Sequence, residues 1–293
     1  MRSLLTRAHY HAPEIFGAEC ERLFRKLWML AAIRPMVAKP NDFRTVNIAG
    51  IPVVVQNMGG RVRAFSNTCR HRLSRIQLQE LGNRPLVCPY HHWTYGNDGS
   101  LTSVPRNAQM FQFDERRMRD TKLDEYAVEV VGGLVFVNLD PDPMPISAQF
   151  SASTLEALRS ATDLMDDEFV YGSYEVGFNW KAGMENIKDP LHVPCLHRQT
   201  FPDHIRLDLE ASAQAIGGVD HDARAARTGI RLEDSTAIYD VPIEPSSIHE
   251  WQGLVERTQS RGHYRGMHVF PNVNLMIVDG SSFSVQVYNP LAA

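Results

Sequence analysis

The chain has 293 residues, 22% charged and 43% hydrophobic, ordinary globular usage that excludes collagen-like, coiled-coil and wholly disordered classes; at this length two domains are expected. Lys and Arg total 30 against 34 Asp and Glu, a formal charge of -4, so no overall basic field exists to hold a polyanion and nucleic acid is not an expected partner. The N-terminal region has no continuous apolar run long enough for a signal peptide or a membrane span, so neither targeting nor a membrane partner is expected.

In chain order, residues 13–28 carry Ile15, Phe16, Cys20, Leu23, Phe24 and Leu27 as a helical stripe, acidic early and basic late, which predicts one amphipathic helix. From Phe43 the period changes to that of short strands. Residues 52–56 and 62–65 flank Gly59-Gly60 as a hairpin, residues 85–87 and 93–95 read as strands, and 128–138 folds back at Gly132-Gly133. The proline-rich run 140–145 cannot continue a helix or central strand and marks the expected domain boundary. Beyond it, Ser153 or Thr154 is expected to cap a helix, residues 169–178 alternate as a strand, and 205–267 read as a long polar surface region. Residues 273–277 and 283–288 flank Asp279-Gly280 as a last hairpin.

Only four cysteines occur, Cys20, Cys69, Cys88 and Cys195, with histidines crowded near the middle pair and after the last. That is metal-site arithmetic and not a disulfide framework, and it fits a reducing cytoplasm. Cys20 and Cys195 lack partners and read as buried thiols. Cys69-Arg70-His71 and Cys88-Pro89-Tyr90-His91 each offer one thiolate and one imidazole from a loop that follows a predicted strand. Structural zinc sites usually collect like ligands on one element, whereas mixed loops suit a two-iron, two-sulfide cluster in which one iron takes both thiolates and the other both imidazoles. A zinc knuckle is the bland alternative.

The second dense run is residues 179–197. Asp189 and His192, three apart, would share a helix face, and His197 lies five further on, with Pro194 expected to break the helix and turn both imidazoles to one point. Two histidines at this spacing supply most of a two-histidine, one-carboxylate Fe(II) site. Taken singly, His192 is equally a core histidine and Asp189 a cap before Pro190. Met184 and Asn186 are as readily packing residues, Glu185 a solvated one, and Trp180 core.

The two Cys-His pairs, separated by residues 72–87, resemble the Rieske motif of the large (alpha) subunits of aromatic ring-hydroxylating oxygenases, and Glu185-Asn186-x-x-Asp189-x-x-His192-x4-His197 resembles the catalytic signature of the same family. His92 departs from the glycine usual there and reads as a solvated loop histidine. The resemblance implies an α+β fold: a helical segment (1–38), a Rieske [2Fe-2S] antiparallel β-sandwich (39–140), and a helix-grip catalytic domain with an antiparallel sheet around a helix (146–293). It implies cluster ligands Cys69, His71, Cys88 and His91, iron ligands His192 and His197, and a catalytic Asp189 that bridges His192 to the neighbouring subunit's cluster ligand. The family's third iron ligand is a carboxylate from a late helix. Asp279 sits in a turn, and Asp240, Glu244 and Glu250 fall in the polar region, so that ligand is expected beyond Ala293 and the catalytic domain is expected to be incomplete.

The implied activity is hydroxylation of an aromatic or related small organic substrate with O2 at a mononuclear Fe(II), as in aromatic hydrocarbon catabolism. Electrons would come from NAD(P)H through a separate reductase or ferredoxin, since the chain has no Gly-rich phosphate fingerprint of its own. A homotrimer or an alpha3beta3 assembly is implied. The competing reading is a Rieske electron-transfer protein whose second domain holds no working iron.

Overall fold

The computed structural model describes residues 5–163, 165, 167–189, 192–197, 231–233, 236–242, 263–278 and 282–292. It divides into two compact units, one of residues 16–149 with 166–173, the other of 1–15, 150–165 and 174–293. Helix α1 (Ala8–His11) is followed by α2 (Pro13–Glu19), which runs into a π-helical turn, Cys20–Phe24, that buries Cys20 and Phe24. The single helix expected over 13–28 therefore ends earlier. Strand β1 (Met29–Ile33) also lies inside the segment 1–38 expected to be helical. Its sequence, Met-Leu-Ala-Ala-Ile, is apolar on both faces, a pattern that fits a buried strand as well as a helix until a pairing partner decides.

The β-rich unit continues with β2 (Asp42–Ile48), β3 (Ile51–Met58), β4 (Arg61–Ser66), β5 (Leu81–Asn83), β6 (Thr94–Tyr95), β7 (Leu101–Ser103), helix α3 (Glu115–Asp120), β8 (Glu125–Val131) and β9 (Leu134–Asn138). Seven strands form one antiparallel sheet in the order β1-β9-β8-β4-β3-β2-β5, while β6 and β7 make a separate ribbon. The β3–β4 hairpin turns at Gly59 and Gly60, whose φ of 69° and 96° suit glycine in a two-residue turn. Residues 85–87, expected as a strand, contribute only the isolated bridge Val87 to Thr94. Short helix α4 (Ile146–Gln149) closes the unit: the Gln149 amide accepts from Trp28 N at 2.6 Å and donates to Trp28 O at 3.0 Å.

Beyond residues 1–15, the second unit resumes with α5 (Ala152–Thr162), capped by Ser151, whose hydroxyl accepts the Thr154 N–H, and not by the expected Ser153 or Thr154. Helices α6 (Trp180–Lys188) and α7 (Val193–Leu196) follow. Then come β10 (Arg231–Glu233), β11 (Thr236–Pro242), β12 (His263–Val269), β13 (Val273–Val278) and β14 (Ser282–Val287), an antiparallel sheet in sequence order. Register pairs Val273 with Val287 and Val278 with Ser282, so the last expected hairpin forms, with its turn outside the described residues. Met267, Val269, Val273, Leu275 and Ile277 are buried. They alternate with the other face, to which His268 and Asn274 belong.

Residues 169–178, expected as a strand, are irregular and leave Val170, Tyr174, Val176 and Phe178 exposed. Alternation makes a segment competent for a sheet, but a strand exists only where a neighbour supplies its hydrogen bonds, and none does among the described residues. Most of 205–267 lies outside the described residues.

Candidate metal centres

Two loops of the β-rich unit are built alike. Bridges Thr68 to Arg75 and Val87 to Thr94 close them. Cys69 N donates to Ser74 O and Leu73 N to Cys69 O; in the second loop Cys88 N donates to Trp93 O and His92 N to Cys88 O, all at 2.9 to 3.0 Å. Leu73 and His92 are left-handed, with φ of 58° and 56°. His92, where the resemblance leads to an expectation of glycine, adopts this left-handed conformation at some backbone cost, on an exposed loop tip.

Buried amides hold the loops in place. Asn67 donates to Gln77 O at 2.8 Å and accepts the N–H groups of Ile76 and Gln77, pinning both ends of the first loop. Gln56 and Gln77 both donate to Arg84 O, at the entrance to the second. Arg70 ties the first loop to the segment before β8, donating to Lys122 O at 2.5 Å and pairing with Asp124.

Together these constraints bring Cys69, His71, Cys88 and His91 to one place. Both cysteines belong to the core cluster with Phe65, Leu86 and Trp93, while the histidines sit half-exposed at its rim. The His71 and His91 ring centroids are 4.6 Å apart, and His71 stacks on Trp93 at 4.7 Å with its edge to Phe111. Burial pushes the Cys69 thiol up; the Tyr95 hydroxyl beside it opposes the shift and the Cys88 thiol adds to it. Burial, then the charge of His91, lowers the His71 imidazole. His71 Nδ1 is buried and makes no hydrogen bond.

Two buried thiols and two imidazoles are the donor set a Rieske cluster takes, and binding would convert the thiols to thiolates. Among the described residues no three His, Cys, Asp or Glu side chains could hold a single ion, whereas a two-iron cluster asks for only two donors at each iron. Tyr95 escapes a search for ligand types: its hydroxyl lies 3.2 Å from Cys69 Sγ and accepts the Arg70 N–H at 2.9 Å. Its position two residues after Trp93, in the strand that leaves the loop, is the one sequence cue.

In the other unit α6 is capped by Asn179, whose side chain accepts the Lys181 N–H, and ends at Lys188, with Asp189 as its C-cap. The helix break therefore precedes His192. The residue before Pro190 is driven out of helical geometry, so Asp189 and His192 do not share one helix face as expected. Pro194 breaks nothing: it lies in the first turn of α7, where proline is tolerated. His192 and His197 flank that short helix, their ring centroids 5.2 Å apart. His192 Nδ1 is buried without a hydrogen bond and stands 3.9 Å from Asp189 Oδ2, beyond hydrogen-bond length. An orphaned imidazole nitrogen beside a second imidazole is a donor pair that Fe(II) could take.

Asp279, Glu244 and Glu250 lie outside the described residues, and Asp240 is described only as backbone on β11, opposite Arg265. Trp180 and Met184 are buried, as is Cys20, but Cys195 is exposed on α7, against expectation, because a helix of one turn has too little surface to bury it. Glu185 is not simply solvated: Tyr10 donates to its carboxylate at 2.6 and 2.9 Å.

Family models match in both units: the Rieske [2Fe-2S] domain over residues 28–117 and the ring-hydroxylating alpha subunit catalytic domain over residues 166–293. The chain belongs to the Rieske ring-hydroxylating oxygenase alpha-subunit family. Within this family it is 30% identical to the anthranilate 1,2-dioxygenase large subunit of Acinetobacter baylyi, over 98% of this chain and 66% of that one. It is 32% identical to the glycine betaine monooxygenase oxygenase subunit of Pseudomonas aeruginosa, over 70% of this chain and 47% of that one. It thus spans about half to two thirds of the curated relatives it matches.

Among solved structures, a quaternary ammonium Rieske monooxygenase superposes with a TM-score of 0.76 at 21% identity, covering 97% of this chain and 71% of that one. Naphthalene 1,2-dioxygenase from Rhodococcus gives 0.73 at 24% identity, covering 97% and 69%. The α+β Rieske oxygenase fold is therefore the fold of this chain, and members of the family carry a [2Fe-2S] cluster and a non-haem iron. No helix among the described residues is long and apolar enough to cross a membrane.

Proposed function

We propose that the chain is the terminal oxygenase component of a multicomponent Rieske oxygenase that hydroxylates a small organic substrate. The observation that carries this reading is the pairing of two donor sets: thiols and imidazoles on the twin loops, and the imidazoles of His192 and His197 flanking α7. An electron carrier would need only the first. When bound, the cluster stores one electron and the mononuclear Fe(II) activates O2 for insertion into the substrate.

Cys69 and Cys88, buried in the apolar core, and His71 and His91, half-exposed at its rim, would hold the cluster, with the histidine side open to a reductase or ferredoxin. Trp93 fixes the plane of His71 by stacking. His192 and His197 would hold the Fe(II), and Asp189, whose Oδ2 stands 3.9 Å from His192 Nδ1, would close on that ring to orient it and, in a trimer, join it to the partner subunit's His91. NAD(P)H supplies electrons through the separate partner, because the chain has no Gly-rich dinucleotide fingerprint. Thiols that must stay reduced before cluster assembly fit a cytoplasmic setting.

The test is O2 uptake by anaerobically purified protein supplied with NADH and a ferredoxin–reductase pair, across anthranilate, benzoate, glycine betaine and carnitine. Substrate-dependent uptake matched by hydroxylated or demethylated product supports the reading. A cluster that reduces and reoxidises with no product from any of them would favour the electron carrier.

A further inference from the structure

We infer that Phe111 is a cap on the His71 side of the cluster site: a preformed turn holds its ring against the imidazole, keeps water from that side, and so sets the reduction potential below that of an open rim. The inference rests on the reading above that the twin loops hold a [2Fe-2S] cluster, and the cap itself coordinates nothing.

The segment 104–113 joins β7 to α3. It contains a second π-helical turn, Asn107–Phe111, closed by Gln112 N donating to Asn107 O at 2.6 Å. Turns this wide are rare and gather at functional sites. Arg106 and Gln112, on either side of it, are both left-handed, with φ of 58° and 54°, a conformation that costs a non-glycine residue free energy and persists only where its surroundings fix it. Asn107 does the fixing: its side chain donates to Phe113 O at 2.8 Å and accepts the Phe113 N–H at 2.9 Å, which locks the neck of the turn.

The result is the placement of one ring. His71 and Trp93 lie face to face, 4.7 Å apart and 8° from parallel. Phe111 stands nearly perpendicular to both, at 88° and 82°, with centroids 5.5 and 5.4 Å away, so it covers the edge of that stack. Phe113 braces it from 5.6 Å. Among the described residues three rings border His71, and while His91 and Trp93 come from the second ligand loop, Phe111 comes from a third segment of the chain. Under this cover His71 Nδ1 is buried although the residue is half-exposed.

Core packing alone does not account for the turn. Met110 is 66% exposed and Phe111 only half-buried, so two left-handed residues are spent on little apolar burial. An apolar ring beside a redox centre displaces water that would solvate charge. The added electron makes the centre more negative, water favours that state and an apolar cover disfavours it, so the cap lowers the potential and leaves the held electron more reducing toward the mononuclear iron.

Redox titration of the visible spectrum of the purified, cluster-loaded full chain tests this, with iron, sulfide and zinc assayed on every sample. In Phe111→Ala the ratio of reduced to oxidised cluster at a fixed ambient potential should rise about threefold or more, an upward shift of about 28 mV at 59 mV per tenfold. Phe111→Leu, which keeps an apolar cover, should recover most of the wild-type value. Asn107→Ala keeps the ring but unlocks the turn; it should shift the potential in the same direction, and it decides the matter if Phe111→Ala loses its cluster. A potential that is unchanged or lower with iron and sulfide intact would overturn the cap alone. Wild-type protein that holds zinc and no sulfide would overturn the cluster reading, and the cap with it.

Discussion

The Tyr95 hydroxyl joins the two ligand loops: it contacts Cys69 Sγ at 3.2 Å and accepts the Arg70 N–H at 2.9 Å. Burial and this contact raise the Tyr95 pKa, so the group stays protonated and can donate to a thiolate. Such a donor stabilises the reduced, more negative cluster. Tyr95→Phe should therefore lower the reduction potential by tens of millivolts, read by redox titration of the visible spectrum. It should also leave the Arg70 N–H without its acceptor, at a cost of about 1–3 kcal/mol if that group stays dry. An unchanged potential would remove Tyr95 from the cluster's surroundings.

His92 adopts φ of 56° in the position matched by Leu73. A glycine there relieves the left-handed conformation but adds freedom to the unfolded chain, so His92→Gly should range from neutral to about 1 kcal/mol more stable. His92→Ile, β-branched, should cost about 1–3 kcal/mol. Both variants should keep a normal cluster spectrum, since His91 and not His92 is the proposed ligand. A changed spectrum in His92→Gly would reopen His92 as a ligand. Thermal unfolding of the holoprotein measures the first effect and absorbance the second.

How far the sequence reveals this molecule depends on whether local chemistry or a distant partner decides. The twin loops were legible because Cys69, His71, Cys88 and His91 are chemically distinctive and their loops are short. Turns such as Gly59-Gly60 were legible for the same reason. Met29–Ile33 was hidden because an apolar run is ambiguous until β9 pairs with it. Residues 169–178 failed in the opposite sense, with a strand pattern but no ladder among the described residues. The helix break expected at Pro194 falls instead at Asp189, because only the position relative to a helix start separates a breaking proline from one in a first turn. His268, Asn274 and Gln286 carry no motif at all; sheet register alone aligns them.

His268 gives the second unit an acid sensitivity. Burial and the Lys188 charge hold its pKa down to about 4, below the ordinary histidine value of about 6.5. In the unfolded chain the imidazole takes a proton in the ordinary histidine range, near pH 6.5, while the native one resists until lower pH. Stability is thus fully present above about pH 6.5 and is lost as pH falls from there toward 4, up to about 3 kcal/mol. His268→Gln should flatten this part of the stability profile, measured by denaturant unfolding at stepped pH. An equally steep fall in the variant would assign the sensitivity elsewhere.

Gly183 is required by the approach of α6 to Tyr288, where an added Cβ would lie 2.6 Å from the ring. Ala is the better helix former by about 1 kcal/mol, yet Gly183→Ala should destabilise, because displacing a packed ring costs roughly 1–3 kcal/mol. Combining it with Tyr288→Leu should recover part of the loss, a coupling visible in a double-mutant cycle. Additive losses would mean that the two residues do not meet.

The central claim is that the twin loops hold a two-iron, two-sulfide cluster between two thiolates and two imidazoles. Iron, acid-labile sulfide and zinc per chain on anaerobically purified protein test it most directly. About two sulfides per chain are expected with at least about two irons, a third iron reporting the His192 and His197 site, and the sulfide should be lost in Cys69→Ser and Cys88→Ser. A colourless protein with zinc bound and no sulfide would contradict the claim.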